Sequence, residues 1–218
     1  MKKKIISFIL AIIITVSCDV FSFADGPAVS AQSAVLMCAN NGKVLYSKNE
    51  AKRLSMASTT KIMTALIVLE NLTDLEEMVE VSVTAVADWD YDATLANLVP
   101  GEQMSVLNLL YCLMVESAND AGAVLAEHVA GSQEAFSELM NQKAAQLGCV
   151  GTHFSNAHGL HDENHYTTAR DMAKILMAAL EYSTFVDIYS TGRYVVPETN
   201  LRDERILNST NYLIADDI

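Results

Sequence analysis

Apolar and polar positions change rhythm several times along the chain, and each change marks an element. On either side of the turn-forming "NNG" at residues 40–42, "SAVLMCA" and "KVLYSKN" read as short strands, so residues 34–48 predict a β-hairpin. From Ser58 the period lengthens in "SMASTTKIMTALIVLE", with Ile62, Leu66 and Leu69 on one face. This predicts a helix that starts at the serine and ends between Asn71 and Asp74. "VEVSV" at 79–83 reads as a short strand, "VPGEQMSV" as loop, and "SVLNLLYCLMVES" as a second apolar helix from Ser105. A third helix is expected from Asn119 to Gly131, and a fourth from a Ser132 cap to Gly148. "THFSNAHGLHDENHY" is a polar loop, "TTARDMAKILMAALEYS" a capped helix and "RYVVPE" a strand.

The amino terminus has a different pattern. Lys2, Lys3 and Lys4 precede the apolar run "IISFILAIIITV", and small residues at Ser22 and Ala24 precede Asp25. That is the layout of a secretory signal peptide over residues 1–24, and its apolar run falls short of the ~20 residues needed to span a bilayer. "TVSC" carries Thr15 where a lipoprotein signal has an aliphatic residue, so lipidation of Cys18 is not expected.

The chain of 218 residues is 51% hydrophobic and 19% charged, a composition that supports one globular domain and excludes a disordered chain. Its formal charge is −13, and loss of the leader, which carries three lysines and one aspartate, deepens it to −15. So negative a surface disfavours nucleic acid as a partner. Cleavage would leave Cys38, Cys112 and Cys149, an odd set at unrelated spacings that implies buried thiols and no disulfide framework.

Two polar pairs can carry chemistry. Ser58 and Lys61 are three residues apart, hence on one helix face, and a serine hydroxyl becomes a useful nucleophile when a nearby base takes its proton. Lysine serves as that base only if burial and the positive end of a helix lower its pKa. The spacing alone equally allows a capping serine and a solvated lysine. Ser117 and Asn119 lie between two strongly apolar helices, where a hydroxyl and a carboxamide can pass a proton and hold a substrate amide. The same pattern recurs at Ser47/Asn49 and Ser209/Asn211, both in or near turns. His158, His161 and His165 with Asp162 could be read as a metal site, but they lack the helical spacing of the common zinc motifs. Loop-fixing hydrogen bonds are expected instead, with no metal and no cofactor.

Taken together, "ASTTK" and "SAND" resemble the first two motifs of the serine D-alanyl-D-alanine carboxypeptidases, low-molecular-mass penicillin-binding proteins of the bacterial cell wall. The resemblance runs from about Gln32 to Leu213 through "GEQMSVLNLLYCLMVESANDAGAVLAEH", "MNQKAAQLG", "THFSNAHGLHDENHYTTARDMAKI" and "NSTNYL". It implies an α/β fold of the α+β type, the penicillin-binding and β-lactamase-like transpeptidase fold, with helices packed on an antiparallel sheet. By the same resemblance Ser58 is the acylated nucleophile, Lys61 its proton acceptor, Ser117 a proton relay, and Asn119 a substrate-binding residue. The implied partners are peptidoglycan stem peptides ending in D-Ala-D-Ala and β-lactam antibiotics. The implied location is secreted, in the cell envelope, with membrane association through a later segment.

The family's third motif, KTG, normally comes after the "NSTNYL" region, and the sequence ends at Ile218 before it. "STG" at residues 190–192 precedes that landmark and has no lysine. Residues 25–218 are therefore expected to be a partial catalytic domain, a fragment of a longer product whose last strands are missing and which alone would be a poor catalyst. The same motifs allow two other readings: a non-catalytic peptidoglycan-binding protein, and a class A type β-lactamase. The stretch "HGLHDENHYTTARD" resembles the carboxypeptidases more than the latter.

Overall fold

A computed structural model describes residues 26–87, 89–91 and 93–215. The predicted leader lies outside the described residues. The chain divides between Ser30 and Ala31, and residues 26–30 carry no regular secondary structure. Among the described residues, every helix and strand belongs to the unit that begins at Ala31.

Its centre is α1 (Thr60–Asn71), entered through a 3-10 turn at Ala57–Thr59. The sequence pattern predicts one apolar face, but the helix is covered almost all round, with Met63, Ala65, Leu66, Ile67 and Val68 all buried. A helix so enclosed must be wrapped by others. Around it pack α2 (Val106–Met114), α3 (Asn119–Ala130), α4 (Gln133–Gln146), α5 (Ala169–Ala179) and α6 (Ser183–Tyr189). Leu109, Leu110 and Leu113 of α2, Leu125 of α3, Phe136 and Met140 of α4, Ile175 of α5 and Phe185 of α6 complete the core. Among the described residues no helix is long and apolar enough to cross a membrane.

The helix boundaries reflect local chemistry. Ser105 and Ser132 accept hydrogen bonds from Asn108 N (3.2 Å) and Ala135 N (3.1 Å), which caps α2 and α4. Gly131 closes α3 in the left-handed region at φ 80°. The single helix expected over 167–183 ends early at Ala179, and a separate α6 comes next because Phe185 and Ile188 turn into the core.

The strands pair as three two-stranded antiparallel ladders among the described residues. β1 (Ala34–Met37) and β2 (Val44–Lys48) form the expected hairpin, with Gly42 at φ 68° in its turn, and α5 packs against β1. β3 (Met78–Glu80) pairs with β4 (Gln103–Ser105), so the stretch read as loop contains a strand, and the strand read at 79–83 stops at Glu80. Three residues are too few to show a period. They are selected because Val79 and Met104 face each other across the ladder, both buried. β5 (Arg193–Val196) pairs with β6 (Arg205–Asn208), a partner that the sequence pattern does not predict. Tyr194 ties this ladder to α2, stacking on Tyr111 with ring centroids 3.6 Å apart and donating to Asn108 Oδ1 at 2.8 Å. The last described residues hold a short helix, α7 (Tyr212–Ala215).

The connection from α4 to α5 has no helix or named strand, and its stretch 152–168 is anchored at both ends. His153 pairs with Tyr166 in both directions (2.8 and 3.1 Å), and Thr167 pairs likewise with Leu54 (2.9 and 3.0 Å). Thr168 then caps α5 by accepting from Asp171 N at 3.1 Å, and the buried Asp171 carboxylate accepts from Gly151 N (2.8 Å) and Thr152 Oγ1 (3.0 Å). Asp171→Ala leaves the buried Gly151 N–H unpaired and takes one of two partners from Thr152 Oγ1, and is expected to cost about 2–4 kcal/mol. Thr168→Ala removes the cap and is expected to cost about 1 kcal/mol. Urea unfolding of both variants checks that order.

Candidate active site

Ser58 is not the cap of α1; it sits one step earlier, inside the 3-10 turn, exposed to solvent. Lys61, in the first turn of α1, is only 2% exposed. Its ammonium nitrogen donates to Ser58 Oγ at 3.1 Å, Asn119 Oδ1 at 2.7 Å and the His158 carbonyl oxygen at 2.8 Å. Three acceptors saturate the three N–H donors of a protonated lysine. The longest contact is the one to the serine, where a lone pair would sit once the amine is neutral.

Burial lowers the Lys61 pKa from 10.5 to about 8, against the nearby negative charge of Asp120, which raises it. The amino-terminal end of α1 opposes a positive charge there as well. At pH 7 about one lysine in ten is then neutral, a supply sufficient for a base.

Asn119 opens α3, and its backbone N–H donates to the Thr94 carbonyl at 2.8 Å. Beside it the buried Asp120 carboxylate accepts from Ala96 N (2.9 Å) and Leu98 N (3.0 Å), which binds the 94–98 strip to the start of α3. Ser117 lies on the link between α2 and α3 with φ 63°, a left-handed conformation that is costly for a serine. Among the described residues no hydrogen bond joins its hydroxyl to Ser58, Lys61 or Asn119. Of the four residues picked from the sequence, three are tied together directly and Ser117 stands on the adjoining link.

The histidines divide. His161 is exposed on the 152–168 segment, while His158 and His165 are buried. His158 presents its carbonyl to Lys61, and its ring meets the edge of Trp89 at a centroid distance of 5.0 Å. Burial, with the Lys61 charge behind it, lowers the His158 pKa to about 4. His165 Nδ1 accepts from Ser155 N at 3.0 Å, and its Nε2 lies 2.7 Å from Thr60 Oγ1. Sequence reasoning missed Thr60, Asp120 and the His158 carbonyl. Gly159 too is explained only by the structure: at φ 94°, a Cβ there would stand 2.1 Å from the Ala57 carbonyl oxygen, so no other residue fits "HGL".

Comparison with known proteins places this arrangement. Residues 21–217 match the D-alanyl-D-alanine carboxypeptidase family of peptidases. The chain is 35% identical over 224 residues to D-alanyl-D-alanine carboxypeptidase DacF of Bacillus subtilis, covering 98% of this chain and 57% of that protein. It is 40% identical over 156 residues to DacC of Escherichia coli, covering 68% and 39% respectively. The chain thus spans about half the length of the curated relatives it matches. In three dimensions it is similar to a Streptomyces DD-transpeptidase, with TM-score 0.80 and 32% identity over 87% of this chain and 77% of that one. A D-alanyl-D-alanine carboxypeptidase of Mycobacterium tuberculosis superposes with TM-score 0.79 and 28% identity over 87% and 70%.

The buried amine has a signature in stability. The folded pKa lies below the unfolded one, so between about pH 8 and 10.5 the unfolded chain binds the extra proton, and stability from this group rises with pH across that window. Lys61→Met is expected to abolish that increment. Urea denaturation of both proteins at pH 8 and pH 10 measures it as a difference of differences.

Proposed function

Because this chain belongs to the D-alanyl-D-alanine carboxypeptidase family, we propose that it is the catalytic part of a serine enzyme that removes the terminal D-alanine from peptidoglycan stem peptides. Residues 1–24 are then a signal peptide, residues 25–218 part of the catalytic domain, and the place of action the extracytoplasmic cell envelope. The observation that carries the reading is the Lys61 amine, buried and hydrogen-bonded to both Ser58 Oγ and Asn119 Oδ1.

Those contacts support the following mechanism. Neutral Lys61 takes the Ser58 hydroxyl proton as Oγ attacks the carbonyl of the penultimate D-alanine. An Oγ–C bond forms, and the negative charge gathers on the former carbonyl oxygen. As that intermediate collapses, the C–N bond to the terminal D-alanine breaks, and the proton held by Lys61 passes to the leaving amine. Water then attacks the acyl-serine ester, gives its proton back through the same amine, and frees Ser58 with the shortened peptide as a carboxylic acid. Both proton transfers use one lysine because its pKa of about 8 suits either direction near neutral pH.

Asn119 spends its carboxamide oxygen on Lys61, which leaves its amide nitrogen to donate to the peptide carbonyl of a bound substrate. Ser117, on the left-handed link two residues earlier, is proposed as the relay that carries the proton toward the leaving amine. A β-lactam ring presents a strained amide to the same hydroxyl, so penicillins are expected to acylate Ser58 and stay there as the ester.

Incubation of the full-length protein with penicillin is expected to add one antibiotic mass at Ser58, read by intact-mass spectrometry and peptide mapping. Labelling that survives in Ser58→Ala would refute the assignment. The labelling rate is expected to climb about tenfold per pH unit below about pH 8 and to level off above it, as neutral Lys61 accumulates. Lys61→Arg, which holds its proton throughout, is expected to lose at least about a hundredfold.

A further inference from the structure

The residue before the serine is strained. Ala57 has φ 45°, a left-handed conformation that costs an alanine about 1–2 kcal/mol, so the surrounding structure must hold it. Two contacts do so. Thr60 Oγ1 donates to the Ala57 carbonyl oxygen at 2.7 Å, and Gly159 lies so close to that oxygen that it leaves no room for a side chain.

Thr60 does not act alone, since its hydroxyl oxygen lies 2.7 Å from His165 Nε2. The direction of that bond is determined by the other side of the ring. Ser155 N–H can only donate, so Nδ1 carries the lone pair and a neutral ring has its proton on Nε2. Burial keeps the ring neutral, with a pKa lowered to about 4. The result is a one-way relay: Ser155 N–H to His165, His165 Nε2–H to Thr60, Thr60 O–H to the Ala57 carbonyl. Thr60 is fully buried and His165 is 2% exposed, so solvent cannot replace either partner.

The relay grips one end of the peptide unit that joins Ala57 to Ser58. That unit is planar and trans, so its C=O and N–H point in opposite directions. Holding the oxygen against Thr60 turns the Ser58 N–H to the opposite side, and Gly159, packed over both the Ala57 carbonyl and Ser58 N, fixes the plane from which the Ser58 side chain begins. We propose that His165 is a positioning residue for acyl transfer, acting through Thr60 to set the plane of the Ala57–Ser58 peptide and thereby the aim of the Ser58 hydroxyl and N–H. This rests on the enzymatic reading above. His165 touches neither Ser58 nor Lys61 by hydrogen bond, so it is not itself a catalytic residue.

The test uses the full-length protein in five forms: wild type, His165→Ala, His165→Gln, Thr60→Val and the His165→Ala/Thr60→Val double variant. In His165→Ala the rate constant for acylation by penicillin is expected to fall about tenfold to a hundredfold, the scale of a misaimed nucleophile. The reversible affinity that precedes acylation is expected to stay within about threefold, because binding contacts are untouched. Glutamine can place an amide N–H where Nε2 stood, so His165→Gln is expected to recover to within about threefold of wild type. Thr60→Val is expected to match His165→Ala, and the double variant to add little beyond either, since both break one relay. The acylation limb near pH 8 is expected to keep its position in every form, because Lys61 is not the group disturbed.

A second readout needs no catalysis. The Ser58 amide nitrogen chemical shift is expected to move in His165→Ala and Thr60→Val and to return in His165→Gln. Acylation by His165→Ala within twofold of wild type would overturn the proposal, as would a glutamine variant no better than alanine. If His165→Ala does not fold, Thr60→Val and His165→Gln decide by the same criteria. A wild-type protein that never labels Ser58, yet shows the expected amide shifts, would sink the enzymatic reading and leave the relay itself in place.

Discussion

Everything about this site depends on putting a lysine amine inside the molecule. Lys61 is in the first turn of a helix that, among the described residues, five others enclose, and only 2% of it is exposed. An amine so placed would be prohibitively costly without partners, and it has three: a hydroxyl, a carboxamide oxygen and a backbone carbonyl. Each comes from a different part of the chain, near residues 58, 119 and 158. The need to satisfy one buried amine therefore draws the turn before α1, the start of α3 and the 152–168 segment to a single point.

That convergence explains features that otherwise look unrelated. Asp120 binds the 94–98 strip and supplies the charge that moderates the Lys61 shift, so the residue after Asn119 serves both packing and electrostatics. The 152–168 segment lacks named strands because its work is to deliver backbone groups and two buried imidazoles to fixed places. Its ends are pinned by the pairing of His153 with Tyr166 and of Thr167 with Leu54, and by the capped start of α5. The unfavourable backbone angle at Ala57 is tolerated because the same segment presses on it through Gly159 and, through His165 and Thr60, hydrogen-bonds its carbonyl. Strain beside Ser58 is thus balanced by contacts more than a hundred residues away in sequence.

Long elements with strong periodicity or clear caps were legible from the chain: the 34–48 hairpin, the helices opened by Ser105 and Ser132, and the helix closed by Gly131. Short ladders were not. β4 hides in a stretch rich in turn residues and forms because Met104 finds Val79, while β6 exists because Arg205–Asn208 can pair with Arg193–Val196. Such pairings depend on a partner distant in sequence, and three or four residues carry no rhythm of their own. The break between α5 and α6 has the same origin, because Phe185 and Ile188 turn toward the core and away from the preceding helix axis.

The same division runs through the site. Residue types and spacing in "ASTTK" and "SAND" determined which side chains could do chemistry and which family the chain resembles, since those are properties of local order along the backbone. They could not determine that Lys61 is buried and its pKa lowered, that Ser58 sits in a 3-10 turn instead of capping the helix, or that His165 is linked through Thr60 to the peptide before Ser58. Those outcomes belong to the tertiary structure, because burial, pKa and hydrogen-bond partnership are set by what lies across the fold from a residue.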